Sequence, residues 1–130
     1  MSLSMNKPPL KPTDAELEIL QVLWRLGPST VKAVQEAMGK DAGYTTVLKF
    51  LQIMTEKGLV SRDESQRAHV YAAACSQDET QRQLVTGLLK RAFAGSSAQL
   101  VMQALSAKRA SPSELEEIKK LLEKLSKENQ

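Results

Sequence analysis

The spacing of apolar residues changes at Gly58, and this change limits what the first half of the chain can form. Before it, apolar residues recur at the three- and four-residue intervals of amphipathic helices; after it, two short segments have the character of strands. Caps and glycines divide the helical part into three. The predicted helices run from the cap at Thr13 to Gly27-Pro28, from Ser29-Thr30 to Met38, and from about Thr45 to Lys57.

The predicted strands are Leu59 to Arg62 and Ala68 to Ala73, joined by a polar hairpin tip. Three short helices followed by a two-stranded ribbon is the order of a winged helix-turn-helix, in which the second and third helices form the helix-turn-helix unit. We therefore expect a mainly α fold with a small β-ribbon. The predicted organisation is an irregular arm over residues 1–12, a winged-helix DNA-binding domain over 13–75 and a helical dimerisation domain over 76–130.

The C-terminal region consists of amphipathic helices, the clearest of which starts at Ser111-Pro112-Ser113-Glu114, a capping box with proline at the first helical position. Their apolar stripes cannot all be buried in one thin layer, so we expect burial against a symmetric second copy. The alternative is that these helices pack back onto the N-terminal domain. The residues predicted to form the dimer interface are Leu84, Leu88, Phe93, Leu100, Val101, Leu105, Leu115, Ile118 and Leu122.

The third helix carries the candidate DNA contacts. At about 100° per residue, its apolar side chains cluster on one face and its polar ones fall opposite. A helix can enter the major groove of DNA, where hydroxyl and amide groups meet base edges and a lysine meets a phosphate or guanine. The alternative for each position is an ordinary solvated surface. The predicted DNA-binding residues are Thr45, Thr46, Lys49 and Gln52, with Arg67 of the ribbon placed to reach phosphate or minor groove.

Composition disfavours other classes of protein. The net charge of +3 only weakly favours a polyanionic partner. No apolar run approaches the roughly 20 residues of a membrane span, and the N-terminus has no secretory-signal pattern, so a cytoplasmic protein is expected. A phosphate-binding glycine loop, a metal-ligand spacing and a nucleophile with its partners are all lacking, which predicts no enzyme, cofactor or metal. His69 and Cys75 are interpreted as packed or surface residues.

Several segments together resemble the BlaI/MecI/CopY (penicillinase repressor) family, from about residue 11 to 126. Each segment alone is a weak match, whereas the ordered set is fairly specific. The matching segments are Thr13 to Leu20 with Leu23-Trp24, Thr46-Val47 with Leu51 and Lys57-Gly58-Leu59, Arg67 to Tyr71, Phe93 to Ser96 with Leu100-Val101, and Ser111 to Ile118.

The resemblance implies a homodimeric repressor that binds inverted-repeat operators in double-stranded DNA through the five positions predicted above. The chain departs from the family at two positions of the third helix: family members frequently have arginine where this chain has Ile53, and threonine where it has Lys49. Gln103-Ala104 stands where some members carry an Asn-Phe bond that a protease cleaves, so the resemblance does not identify a sensor protease for this chain. Copper-responsive members carry pairs of cysteines near the C-terminus, which this sequence lacks, so copper sensing of that type is not expected. The rival hypothesis is a winged-helix protein-interaction module without a DNA role, which Leu48 and Ile53 near the exposed face favour.

Overall fold

The computed structural model describes residues 11–39 and 41–129, so nearly all of the arm predicted over 1–12 lies outside the described residues. Within the described ranges no helix has the length and apolar character needed to cross a bilayer. The helices and strands are α1 (Asp14–Leu26), β1 (Ser29–Thr30), α2 (Val31–Met38), α3 (Tyr44–Lys57), β2 (Val60–Asp63), β3 (Val70–Ala73), α4 (Gln77–Ala92), α5 (Ser97–Ala107) and α6 (Pro112–Glu128). This order confirms the predicted fold class of a mainly α winged helix-turn-helix followed by further helices.

The helix caps read from the sequence are present. The Thr13 hydroxyl accepts from the Glu16 N–H, and the Glu16 carboxylate accepts from the Thr13 N–H, which closes the capping box of α1. Ser111 and Glu114 form the same pair at the start of α6. These side chains satisfy backbone donors that have no partner within the helix, and they fix where each helix begins.

The sheet has a third strand that the sequence analysis did not predict. β3 lies in the centre, with β1 and β2 antiparallel on either side, and Thr30 pairs with Val70. From the sequence, Thr30 is expected only to cap α2, and it does so as well, since its hydroxyl accepts from the Ala33 N–H. An N-cap residue has extended backbone angles (here φ −77°, ψ 165°), so the same residue can pair in a sheet.

The described residues fall into two compact units, one ending at Arg82 and the other beginning at Gln83. In the first unit, α1, α2, α3 and the sheet share one core, against which Cys75 packs. The indole N–H of Trp24 donates to the Cys75 carbonyl at 2.9 Å, which ties α1 to the segment that leaves β3. The buried apolar side chains are Ile19, Leu20, Val22, Leu23, Val31, Val34, Val47, Leu51, Met54, Leu59, Val60 and Tyr71.

The second unit contains the remainder of α4, then α5 and α6. Ala94 (φ 49°) and Gly95 (φ 81°) have left-handed backbones and separate α4 from α5. None of the described residues of α5 or α6 is buried. Helices of this length gain most of their stability from packing an apolar face, so this unit lacks the burial that a stable domain needs. The predicted division into domains at residue 75 stays a prediction.

Candidate nucleic-acid interface

Helix α3 presents two different faces. Val47, Leu51 and Met54 are at most 2% exposed and fix one face in the core. The opposite face is open to solvent. All four predicted DNA-binding residues of this helix are exposed: Thr45, Thr46, Lys49 and Gln52. The structure therefore brings together on one surface the hydroxyls, the amide and the ammonium group that the sequence analysis selected.

The start of α3 is electrostatically suited to an anion. Gly43 is its N-cap and provides no side-chain hydrogen bond, and the first turn contains no acidic residue. Among the described residues, the N-cap gives that turn no side-chain hydrogen bond, and no carboxylate within the turn offsets the positive end of the helix dipole. Glu56, the one acidic residue of α3, lies at the other end. A DNA phosphate at the first turn would therefore meet the positive end of the helix dipole and no acidic residue of α3 itself.

The end of α3 is held by an ion pair with α1. The Lys57 ammonium donates to Glu16 Oε1 at 2.6 Å, and the Glu16 side chain is only 3% exposed. Burial alone would raise the pKa of the Glu16 carboxyl, but hydrogen bonds from Lys57 and from the Thr13 backbone hold that pKa below its ordinary value. One carboxylate thus caps α1 and anchors the last turn of α3, which fixes the orientation of the exposed face.

A cleft lies beside the first turns of α3, against the segment that leads into β3. Arg67, the predicted wing contact, lines it together with Lys32 of α2, Tyr44 of α3 and His69. Lys32 and Tyr44 are not among the residues predicted from the sequence, and His69 is predicted only to be a surface or packed residue. Arg67 and His69 are two residues apart, so in an extended segment their side chains lie on the same side, and the sequence could have indicated that they share a surface. Lys32 is distant from them in sequence, and only tertiary packing brings it to the cleft.

The hairpin tip before Arg67 is shaped by local interactions. Asp63 Oδ1 accepts from the Ser65 N–H at 2.9 Å, and this hydrogen bond lowers the pKa of the Asp63 carboxyl. The Arg62 guanidinium pairs with Glu64 at 3.0 Å. Arg62 is therefore charge-compensated within the tip, whereas Lys32 and Arg67 line the cleft beyond it.

The residues predicted for dimerisation do not all lie together. Val101, Leu105, Ile118 and Leu122 line one apolar groove between α5 and α6. Leu84, Leu88, Phe93, Leu100 and Leu115 lie outside that groove and are half-buried or exposed. Other residues that line the groove were not selected from the sequence for the interface: Met102, Leu121 and Leu125, which are 54%, 54% and 45% exposed.

Comparisons of sequence identify relatives of the chain. A family model described as penicillinase repressor matches residues 12–124. The transcriptional regulator BlaI of Mycobacterium tuberculosis (strain H37Rv) is 40% identical over 84 residues, which make up 62% of this chain and 58% of that protein. The same values hold for BlaI of strain CDC 1551 / Oshkosh. The chain thus spans less than two thirds of the length of these curated relatives.

Comparisons of structure give more distant similarities. The solution structure of the Bacillus licheniformis BlaI monomeric form in complex with the blaP half-operator is 20% identical with a TM-score of 0.47, over 55% of this chain and 90% of that one. A MarR family protein from Bacillus stearothermophilus is 20% identical with a TM-score of 0.49, over 98% and 79% of the two chains. Superpositions at these scores are too approximate to match individual side chains.

Proposed function

This chain belongs to the penicillinase repressor family, and from that premise we propose that it is a transcriptional repressor that binds inverted-repeat operators in duplex DNA as a homodimer. The observation that carries the proposal is the exposed face of α3, where Thr45, Thr46, Lys49 and Gln52 lie together on a helix anchored by its other face. A rigid helix with polar groups on its exposed side can place them against base edges in the major groove. We assign the chain no catalytic activity and no cofactor, and we place it in the cytoplasm.

Contacts to phosphate would surround this base-reading face. Lys49 projects from α3 itself, and Arg67 lines the cleft with Lys32 and His69 on the flank of the helix. Such contacts position a protein on DNA without reading sequence, and they make affinity depend on salt. We therefore propose that the cleft residues fix the position of the protein along the duplex, and that the exposed face of α3 determines which DNA sequence is preferred.

Dimerisation supplies the symmetry that an inverted repeat requires. The apolar side chains of α5 and α6 are exposed in one chain, and pairing them with the same surface of a second copy would remove them from water. A two-fold dimer would present two α3 helices to half-sites separated by about one turn of DNA, roughly 10 bp. We propose that the dimer interface consists of the residues selected from the sequence together with Leu121 and Leu125, which line the apolar groove between α5 and α6.

The alternative of a protein-interaction module has one specific observation in its favour. Ile53, a large apolar side chain, is 39% exposed on α3, where it could pack against an apolar group of a partner protein. That hypothesis predicts no salt-sensitive affinity for DNA.

In vitro selection from random duplex DNA at low salt tests the proposal. The purified chain should enrich an inverted repeat. Lys49→Ala should lose or alter that preference, whereas Lys120→Ala should retain it, because it removes the same charge from the polar face of α6. If the wild-type chain enriches no sequence, the repressor proposal is wrong and the protein-interaction alternative is favoured.

A further inference from the structure

A shallow, mostly apolar depression lies on the side of α3 that bears Ile53. Thr45, Thr46, Lys49, Phe50 and Ile53 line it, all of them from this one helix. Thr46, Phe50 and Ile53 are four and three residues apart, so they form a stripe along the helix next to the stripe of Thr45, Lys49 and Gln52. Ile53 is 39% exposed, and its side chain has no role in the core.

The position of this depression limits what could fill it. Three of the proposed base-reading residues line it, so a duplex that contacts Thr46 and Lys49 would lie against the part of the helix that bears Ile53. The edge of a base pair in the major groove offers hydrogen-bonding groups and one apolar group, the 5-methyl of thymine. An isoleucine side chain cannot hydrogen-bond to the former but can pack against the latter.

The charges around the depression favour DNA over an apolar protein partner. Lys49, Thr45 and Thr46 are among the residues that line it, and no acidic residue of the described ranges does so. An apolar side chain of a partner protein would have to cover these polar groups without satisfying them, at a cost in free energy. A duplex supplies phosphates for the ammonium, hydrogen-bonding base edges for the hydroxyls and a methyl group for the isoleucine.

We infer that Ile53, which lines the depression with Thr46 and Phe50, is a specificity-determining contact that recognises the methyl group of one thymine in each half-site. This inference rests on the proposed function and refines it, because it names the chemical group on the DNA that this part of the helix recognises. It also explains the exposed isoleucine without a protein partner.

Replacement of thymine by deoxyuridine in the selected operator tests the inference, since deoxyuridine lacks only the methyl group. Each thymine is replaced in turn, in both half-sites, and affinity is measured by fluorescence anisotropy. At one position the wild-type chain should bind about fourfold more weakly per half-site, the factor that corresponds to about 0.8 kcal/mol for one buried methyl or methylene group. Both half-sites together should give a loss of about fifteenfold.

Three variants of the protein complete a thermodynamic cycle. Ile53→Ala should bind the thymine and deoxyuridine operators equally well, and Ile53→Val should retain part of the discrimination. Leu26→Ala, which shortens a leucine on α1 that is 51% exposed, should discriminate as the wild type does. Alanine favours the helix more than isoleucine does, so Ile53→Ala should fold, which circular dichroism checks.

Equal affinity of the wild type for thymine and deoxyuridine at every position would overturn the inference while leaving the repressor proposal standing. Discrimination that persists undiminished in Ile53→Ala would also overturn it, because the methyl group would then act through another residue or through the shape of the DNA. Failure to bind any operator would refute the proposed function itself, and the inference with it.

Discussion

Two neighbouring side chains on α3, those of Lys49 and Ile53, would contact DNA through different chemistry. Lys49 carries a charge that attracts any phosphate or guanine, whereas Ile53 can distinguish only the presence or absence of an apolar group. They are four residues apart and therefore adjacent on the helix surface. Substitution of Lys49 should therefore change the salt dependence of affinity, whereas substitution of Ile53 should change sequence preference and leave the salt dependence as it is.

Lys49→Ala should weaken operator binding and reduce its dependence on salt. If the Lys49 ammonium neutralises one phosphate, the slope of log affinity against log salt concentration should fall in magnitude by about 0.9 per chain. Anisotropy titrations at several salt concentrations measure that slope, and Lys120→Ala on α6 is the charge-matched control. Weaker binding with an unchanged slope would assign Lys49 to a base instead of a phosphate.

Glu16→Gln should destabilise the fold by about 1–2 kcal/mol, because it leaves the half-buried Lys57 ammonium without its counter-charge. The effect should depend on pH. The pKa of Glu16 is lower when folded than its ordinary value of 4.5, so the carboxylate stabilises the fold fully above that value and loses this contribution as pH falls below it.

Urea unfolding of the two proteins between pH 3 and pH 7 measures this dependence. The stability difference between wild type and Glu16→Gln should be constant near neutral pH and shrink under acid conditions. Glu18→Gln, an exposed carboxylate on the same helix, should change stability little at any pH. A difference that is the same at every pH would show that the Glu16 charge does not stabilise the fold.

At the level of single residues, sequence could identify side chains on a helix face but not partners brought together by tertiary packing. The exposure of Thr45, Thr46, Lys49 and Gln52 follows from helical periodicity, because the apolar face of α3 has to be buried. Lys32 beside Arg67 and Lys57 beside Glu16 follow from no local pattern, since each pair is separated by tens of residues in the chain. Their proximity depends on how the helices pack.

Among the elements, α3 is bounded by two glycines, of which only Gly58 has a backbone conformation that requires glycine. Gly58 has a left-handed backbone (φ 81°), and its N–H donates to the carbonyls of Met54 and Thr55. Gly43, at the other end, has φ −83°, which any residue adopts. The first is required by backbone conformation, whereas the second leaves the start of α3 without a side-chain cap.

Gly58→Ala should therefore lower the free energy of unfolding by about 1 kcal/mol. Gly43→Ala should cost less, about 0.5 kcal/mol, because its φ suits any residue and only the N-cap preference for glycine over alanine is lost. A Cβ at Gly58 would meet no atom within 4 Å, so the expected cost comes from the backbone and not from crowding. Thermal unfolding of the two variants makes the comparison. Equal effects would contradict a specific conformational requirement at Gly58.

The boundaries of the elements were largely predictable, and β1 was not. Caps, glycines and apolar spacing locate α1, α2, α3 and the start of α6 to within a residue or two, because these signals act locally. A strand of two residues has no period to detect, and Ser29–Thr30 pairs only because β3 lies beside it. The start of β3 was also predicted two residues early, at Ala68 instead of Val70, because composition does not show where pairing begins.

For the whole molecule, the proposed dimer can be tested on the apolar groove of the second unit. Leu122 is 59% exposed, and it would be buried if this surface pairs with a second copy. Leu122→Asp would place a charge in that interface and should give monomers with reduced operator affinity, since a charge is costly to bury.

Sedimentation of the full chain measures the oligomeric state of this variant. Lys120→Asp, which places the same charge on the polar face of α6, should leave the dimer intact. If the Leu122→Asp protein is still a dimer, Leu122 is not an interface residue. A monomeric wild type would contradict the proposed homodimer, and with it the explanation for the exposed leucines.

The exposed apolar face of α5 and α6 has a consequence for how operator occupancy depends on the amount of this protein in a cell. If these helices acquire their packing only from a second chain, assembly follows mass action, and at low abundance operator occupancy varies with the square of the chain concentration. A cell that halves its supply of this protein by growth and division would then lose about three quarters of its occupied operators instead of half. Dilution alone could release the genes sharply, with no inducer bound to the protein.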